Sequence, residues 1–160
     1  MLQIIWHTSI YIDKYNLDGL QRLNKFPRLQ RLSENESKGS VLVMDDEDMV
    51  GEIACQMMIH LGYAATHVKD GKIAVDEYIR RFRNGEPFDL VIMDLTIPGG
   101  MGGKEAVMEI LAVDPAAKVL VSSGYSTDPI MTNFGEYGFV GVINKPFDLA
   151  SIKETLESFC

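Results

Sequence analysis

From Ser40 onward the chain alternates five short β-type apolar runs with longer stretches of helical period, and this alternation constrains the fold more than any other feature. The strand candidates are residues 41–44, 64–68, 90–93, 119–121 and 140–143. The first, third and fourth are continuously apolar, as strands covered on both faces must be. Between them, Met49, Val50, Ile53, Met57, Met58 and Leu61 mark one helical stripe, and Val75, Tyr78, Ile79 and Phe82 a second. Val107, Ile110 and Leu111 give a third, Ile130, Met131 and Phe134 a weaker fourth, and Leu149, Ile152, Leu156 and Phe159 a last one. These stripes read as ordinary core. Gly62, Gly85, Pro115 and Gly138 stand where the helices must end. Right-handed crossovers place helices on both faces of such a parallel sheet, and ligands bind outside the carboxyl ends of its strands. Function is therefore expected in the loops that follow the strands.

Residues 1–39 do not share this rhythm. Leu17, Leu20, Leu23 and Phe26 suggest a short helix ending before Pro27, and SENESKGS (33–40) is polar and linker-like. The expected organisation is an extension and linker over 1–39 and one domain over 40–160. A chain of 160 residues, 46% of them hydrophobic, is long enough to bury a core without a disulfide or metal staple. Its two cysteines, Cys55 in an apolar helical pattern and Cys160 at the last position, argue against a secreted disulfide framework. No apolar run approaches the ~20 residues of a membrane span, and the start MLQIIWHTSIYIDKY lacks the order of a signal peptide. The expectation is a cytoplasmic protein with no membrane partner.

The formal charge of −8 is unevenly spread. Residues 1–38 carry six basic and four acidic side chains, whereas the remainder carries nine and nineteen. Such an acidic domain repels a phosphate backbone, and the Arg80, Arg81, Arg83 cluster reads as the solvated end of a helix, so direct nucleic-acid binding is not expected.

The first strand runs into Asp45, Asp46, Glu47 and Asp48; the third ends on Asp94, the fourth on Ser122 and Ser123, and the fifth on Asn144, Lys145 and Pro146. Singly, each has a bland explanation as a cap, a turn hydroxyl or a surface charge. Together at one sheet edge they form a constellation, because two carboxylates ~4 Å apart repel by about 4 kcal/mol at an effective dielectric of 20 and need cations between them. Octahedral Mg²⁺ held by one or two carboxylates and waters suits this inventory, and no Cys/His spacing suggests zinc. Lys145 supplies a second positive charge. A carboxylate beside a hard cation, an ammonium and a hydroxyl is equipped for phosphoryl transfer, with Asp94 as the nucleophile.

The segments VLVMDDE, VIMDLTIPGGMGG, VLVSSGYS and VINKPFD, in this order and spacing, resemble the receiver (response-regulator) domain of two-component signalling over 40–160. The resemblance implies a flavodoxin-like (CheY-like) doubly wound α/β sandwich, with a five-stranded parallel sheet of order 2-1-3-4-5 and five helices. It further implies that Asp45 and Asp46 bind Mg²⁺, that Asp94 is both phosphoacceptor and metal ligand, and that Thr96 offers its backbone carbonyl to the metal. Ser123, followed by the small Gly124, resembles the switch hydroxyl, its spacing from Lys145 fitting better than that of Ser122. Lys145, followed by Pro146 in a cis Lys-Pro bond, resembles the lysine that pairs with the phosphoryl group. The implied partner is a histidine kinase or histidine phosphotransfer domain, and the implied role is a signalling phosphoacceptor rather than an enzyme. A dimer through the fourth-helix and fifth-strand face is a further implication. Many stand-alone regulators carry an aromatic residue three places before the lysine, where this chain has Val142. With the GGMGG loop and the SSGYS segment, that aliphatic position resembles receivers at the C-termini of hybrid histidine kinases.

Three other classes fare worse. The loop 99–104 has the glycine content of a P-loop, but Pro98 occupies the first glycine position and Glu105 replaces the Ser/Thr that holds Mg²⁺. An aspartyl-phosphate phosphatase places a second acid two residues after its nucleophile, where Thr96 stands. A non-phosphorylated interaction module of the same fold has no need for Asp45, Asp46, Asp94, Ser123 and Lys145 together. His60 and His67 fall on helix and strand patterns without an evident partner and read as structural. Limited proteolysis is expected to cut first near residues 33–40 and leave a stable core; uniform resistance there would sink the linker assignment.

Overall fold

The computed structural model describes residues 37–124 and 128–160. The helix expected before Pro27, residues 33–36 of the expected linker and Tyr125 lie outside the described residues. In chain order the elements are β1 (Ser40–Met44), α1 (Asp48–His60), β2 (Ala64–Val68), α2 (Gly71–Arg83) and β3 (Leu90–Asp94). Then follow α3 (Gly103–Val113), β4 (Val119–Ser123), α4 (Pro129–Thr132), a 3₁₀ turn (Phe134–Tyr137), β5 (Gly141–Asn144) and α5 (Leu149–Phe159). The five strands form one sheet in the order β2-β1-β3-β4-β5, every pair parallel. This is the doubly wound sandwich expected from the sequence.

The continuous apolar runs explain the layering. Successive strand side chains point to opposite faces, so a run such as VLVM must meet a helix layer on each side. Val41 and Val43 of β1, with Leu90, Ile92 and Leu120, pack against Ala54, Cys55 and Met58 of α1 and Ile152 and Leu156 of α5. Leu42 and Met44, with Val91, Met93, Val119 and Val121, pack against α2, α3 and Met131 of α4. The edge strands differ in the way their position requires: β2 is half-buried throughout and β5 alternates buried with exposed. Lys38 and Gly39, placed in the linker by the sequence reading, already pair with the start of β2 through Lys38 N–H to Gly62 O and Ala64 N–H to Gly39 O, both 2.9 Å.

Local chemistry starts and stops the helices. Asp70, Asp128 and Asp148 accept from the backbone N–H of Ile73, Ile130 and Ser151, satisfying donors left free at the starts of α2, α4 and α5. Tyr78 of α2 is buried and donates its hydroxyl to Asp114 at 2.7 Å, locking α2 to the end of α3. Burial pushes the Cys55 thiol up to about 12, helped by the nearby Glu52, so it stays protonated. No helix among the described residues is long and apolar enough to cross a membrane.

Two expectations need correction. The α1 stripe holds at Met58, which is buried, and at Met57 and Leu61, which pack against the core, but fails at its start: Gly51, Ala54 and Cys55 face inward there, while Met49 is 74% and Ile53 46% exposed. Small side chains face the sheet in the first half of the helix and let it lie close, so counting large apolar residues there picks two exposed positions. The fourth helix is a single turn continued by the 3₁₀ turn, because Asn133 leaves helical geometry and Gly138 ends the segment at φ +93°. Met58→Ala is therefore expected to lower the unfolding free energy by about 2–5 kcal/mol in urea denaturation, and Met49→Ala by under about 0.5 kcal/mol. Equal losses would contradict the observed face.

Candidate functional site

Each apolar strand stops at a polar residue on the same edge of the sheet. β1 passes into Asp45 and Asp46, β3 closes on Asp94, β4 on Ser123, and β5 passes through Asn144 into Lys145. In this strand order β1 and β3 are neighbours whose following connections run to opposite sides, so their carboxyl ends bound the crevice of the sheet. One carboxylate oxygen from each of Asp45, Asp46 and Asp94 lies within 4.8 Å of the others. Charges at that spacing repel by about 3 kcal/mol per pair at an effective dielectric of 20.

Lys145 offsets the repulsion from the far side. Its Nζ lies 2.6 Å from Asp45 Oδ2 and 2.8 Å from Asp94 Oδ2, and it donates a hydrogen bond to the latter. The three side chains are 12%, 1% and 13% exposed respectively, so solvent screens the contacts little. Burial alone lowers the Lys145 pKa, but the close contacts and charges of Asp45 and Asp94 outweigh it and hold the ammonium above the usual lysine range. Lys145 is accordingly charged at neutral pH.

Asp45 Oδ1 accepts from the Glu47 N–H at 3.0 Å, which fixes the carboxylate in a local turn. Its buried Oδ2 touches the ammonium but has no hydrogen-bond donor aligned to it. A buried carboxylate oxygen met only by an ammonium, gathered with two further carboxylates, is a donor set that fits a hard divalent cation. Among the described residues it is the one such cluster.

The remaining sequence-predicted residues border this group. The Thr96 N–H is 3.4 Å from Asp94 Oδ1, at the long end of a hydrogen bond. Ser123 is buried, and its carbonyl accepts from the Lys145 N–H at 3.1 Å, which sets the lysine opposite the end of β4. Ser122 is also buried and lies beside Asp94 in the ladder. Gly124 is exposed, and the Lys145-Pro146 peptide is cis. Gly103 allows the close return after β3: a Cβ there would sit 2.7 Å from the Asp94 carbonyl oxygen.

Two contacts escaped the sequence reading. His67 is not without a partner, since its Nε2 lies 2.8 Å from the backbone oxygen of Asp45. Asp48 is the first residue of α1 rather than its cap, and it forms an exposed 2.8 Å ion pair with Lys69 from the loop after β2. Neither residue belongs to a recognisable spacing. The glycine inside α1 was the available signal for the first.

The bridge by Lys145 has a measurable consequence. Without divalent cations, Lys145→Ala is expected to lower the unfolding free energy by about 2–4 kcal/mol, because it strands two buried carboxylates. Adding Asp94→Asn should restore more than half of the loss. A neutral Lys145→Ala would show that the ammonium does not hold the cluster together.

Comparison with known proteins agrees with this geometry. The response regulator receiver domain family matches residues 41–157. The chemotaxis protein CheY of Thermotoga maritima is 31% identical over 117 residues, covering 72% of this chain and 92% of that protein. The sensor kinase CckA of Brucella abortus is 26% identical over 150 residues, covering 91% of this chain and 15% of that protein. Among solved structures, the CheX-CheY-BeF3-Mg+2 complex from Borrelia burgdorferi superposes with a TM-score of 0.68 at 25% identity, over 76% of this chain and 89% of the matched one. A family match across most of the sequence, on a sheet whose carboxyl edge gathers three aspartates and a lysine, means that the chain belongs to the response-regulator receiver domains, the signalling phosphoacceptors of two-component systems.

Proposed function

We propose that Asp94 is the phosphoacceptor of this receiver, taking a phosphoryl group from a phosphohistidine of a histidine kinase or histidine phosphotransfer domain. The observation that carries the assignment is the Lys145 ammonium held between Asp45 Oδ2 and Asp94 Oδ2 at the sheet crevice. An Asp94 carboxylate oxygen attacks phosphorus in line with the donor imidazole. The new bond is P–O, the P–N bond breaks, and its electron pair stays on the imidazole nitrogen. Lys145 then trades part of its contact with the Asp94 carboxylate for a contact with the incoming phosphoryl oxygens.

Asp45, Asp46 and Asp94, with the Thr96 carbonyl, are the residues that would hold Mg²⁺. When bound, the ion supplies neutralising charge for phosphoryl oxygens. The Ser123 hydroxyl is read as the donor that moves to a phosphoryl oxygen, beside the small Gly124, and Pro146 shapes the loop that carries Lys145. The modification adds about 1.5–2 negative charges at the sheet edge and biases the surface around α4 and β5. Val140 and Val142, both exposed there, support reading that side as the one through which the chain pairs with a second copy.

The likeness to the Brucella sensor kinase extends over 91% of this chain, beyond residues 41–157, and so supports an origin in a hybrid kinase. The two unpaired cysteines suit action in the cytoplasm. Incubation with a small phosphodonor and Mg²⁺ should raise the intact mass of the wild type by one phosphoryl group, with no gain for Asp94→Asn and none for the wild type in EDTA. Equal gain by the variant would place the phosphoryl group elsewhere.

A further inference from the structure

The acidic turn after β1 is tied down by a residue on the neighbouring strand. The β1–β2 ladder ends with Met44 opposite Val68. Asp45, the next residue, keeps one backbone bond beyond that end, from its N–H to the Val68 carbonyl at 3.0 Å. Its own carbonyl oxygen is met by a side chain, His67 Nε2 at 2.8 Å. Consecutive residues of β2 thus grip both ends of Asp45. A carbonyl oxygen has no proton to give, so Nε2 must carry the hydrogen and donate it.

The ring reaches this position because α1 has a glycine where it crosses His67. A Cβ built on Gly51 would lie 2.2 Å from both Cδ2 and Nε2 of His67 and 2.6 Å from Cε1. Contacts that short cannot be accommodated without moving the imidazole. Glycine inside a helix is intrinsically unfavourable, and its presence in the buried face of α1 is accounted for by the space it leaves to the ring.

We propose that His67 is a positioning residue for the metal-binding carboxylates. By fixing the Asp45 peptide it holds the Asp45 and Asp46 side chains together with Asp94, and Gly51 is the complementary notch that admits the ring. This inference rests on the phosphoacceptor reading above, in which those carboxylates take Mg²⁺. His67 touches no ligand in this account and acts through the backbone of Asp45. Partners that orient metal-binding groups in this indirect way contribute to affinity without being ligands.

The test is a titration of the ¹⁵N-labelled full chain with MgCl₂, following the amide signals of residues 45–47, for the wild type, His67→Leu, His67→Gln, Gly51→Ala and the Gly51→Ala/His67→Leu pair. Loss of one hydrogen bond should weaken Mg²⁺ binding about three- to tenfold in His67→Leu. His67→Gln keeps an N–H donor near the position of Nε2 and should return the affinity to within about twofold of wild type. Gly51→Ala should weaken binding as His67→Leu does, and the pair should be no weaker than His67→Leu alone, since both changes remove one interaction. A second readout needs no metal and no variant: long-range ¹H–¹⁵N spectra of the wild type should show His67 protonated at Nε2.

If the wild type binds Mg²⁺ and His67→Leu binds it equally well, or Gln fails to restore the loss, or the Gly51 and His67 effects add, the positioning role is overturned while the phosphoacceptor reading stands. A bare Nε2 on His67 overturns it too, even if the leucine variant fails to fold. A wild type that takes up no Mg²⁺ overturns the phosphoacceptor reading itself, and the positioning role falls with it.

Discussion

An ammonium group held between two nearly buried carboxylates, at the open end of a parallel sheet, is the interaction on which this receiver domain depends. Asp45 and Asp94 are brought together by topology, because β1 and β3 are neighbours and their chains leave in opposite directions. Topology does nothing to relieve their repulsion. Lys145 does, arriving from β5 two strands away from β3, and its backbone is set by the bond to the Ser123 carbonyl at the end of β4. Three strand ends therefore converge on one charge arrangement, and a change at any of them is felt by the others.

That arrangement is balanced in a way that suits a switch. One lysine against two close carboxylates and the exposed Asp46 leaves an excess of negative charge, and Asp45 Oδ2 lacks an aligned donor. The site accordingly favours an added cation, and a phosphoryl group on Asp94 would redistribute the contacts that Lys145 now makes. The surrounding framework is built to tolerate such local change. β1, β3 and β4 are buried on both faces and pack against two helix layers, whereas the described residues between β4 and β5 form a single α-helical turn and a 3₁₀ turn.

Much of this was legible in the sequence because the determining signals are local. Five apolar runs of strand length stand at the observed strands to within a residue or two, and the continuity of the first, third and fourth predicted burial on both faces. Asp45, Asp46, Asp94 and Lys145 were recognisable because each ends such a run. The miss at the start of α1 has a physical reason: close helix–sheet packing selects Gly51, Ala54 and Cys55, which hydrophobic counting passes over in favour of the exposed Met49 and Ile53, whereas Met58 was counted and is buried. The His67 contact was hidden because a side chain bonded to a backbone carbonyl leaves no pattern of residue types. Only the geometry joins His67, Gly51 and Asp45 into one feature.

The central claim is that the clustered aspartates form a cation site completed by the fold, and the dependence of stability on Mg²⁺ tests it most directly. Urea unfolding of the full chain across a range of MgCl₂ concentrations should give an unfolding free energy that rises by about 1.4 kcal/mol per tenfold increase once the ion is in excess of its dissociation constant, as for one ion bound only by the folded state. The same series on Asp45→Asn should stay flat over that range. A wild type whose stability ignores Mg²⁺, or a variant that gains as much as the wild type, would contradict the account.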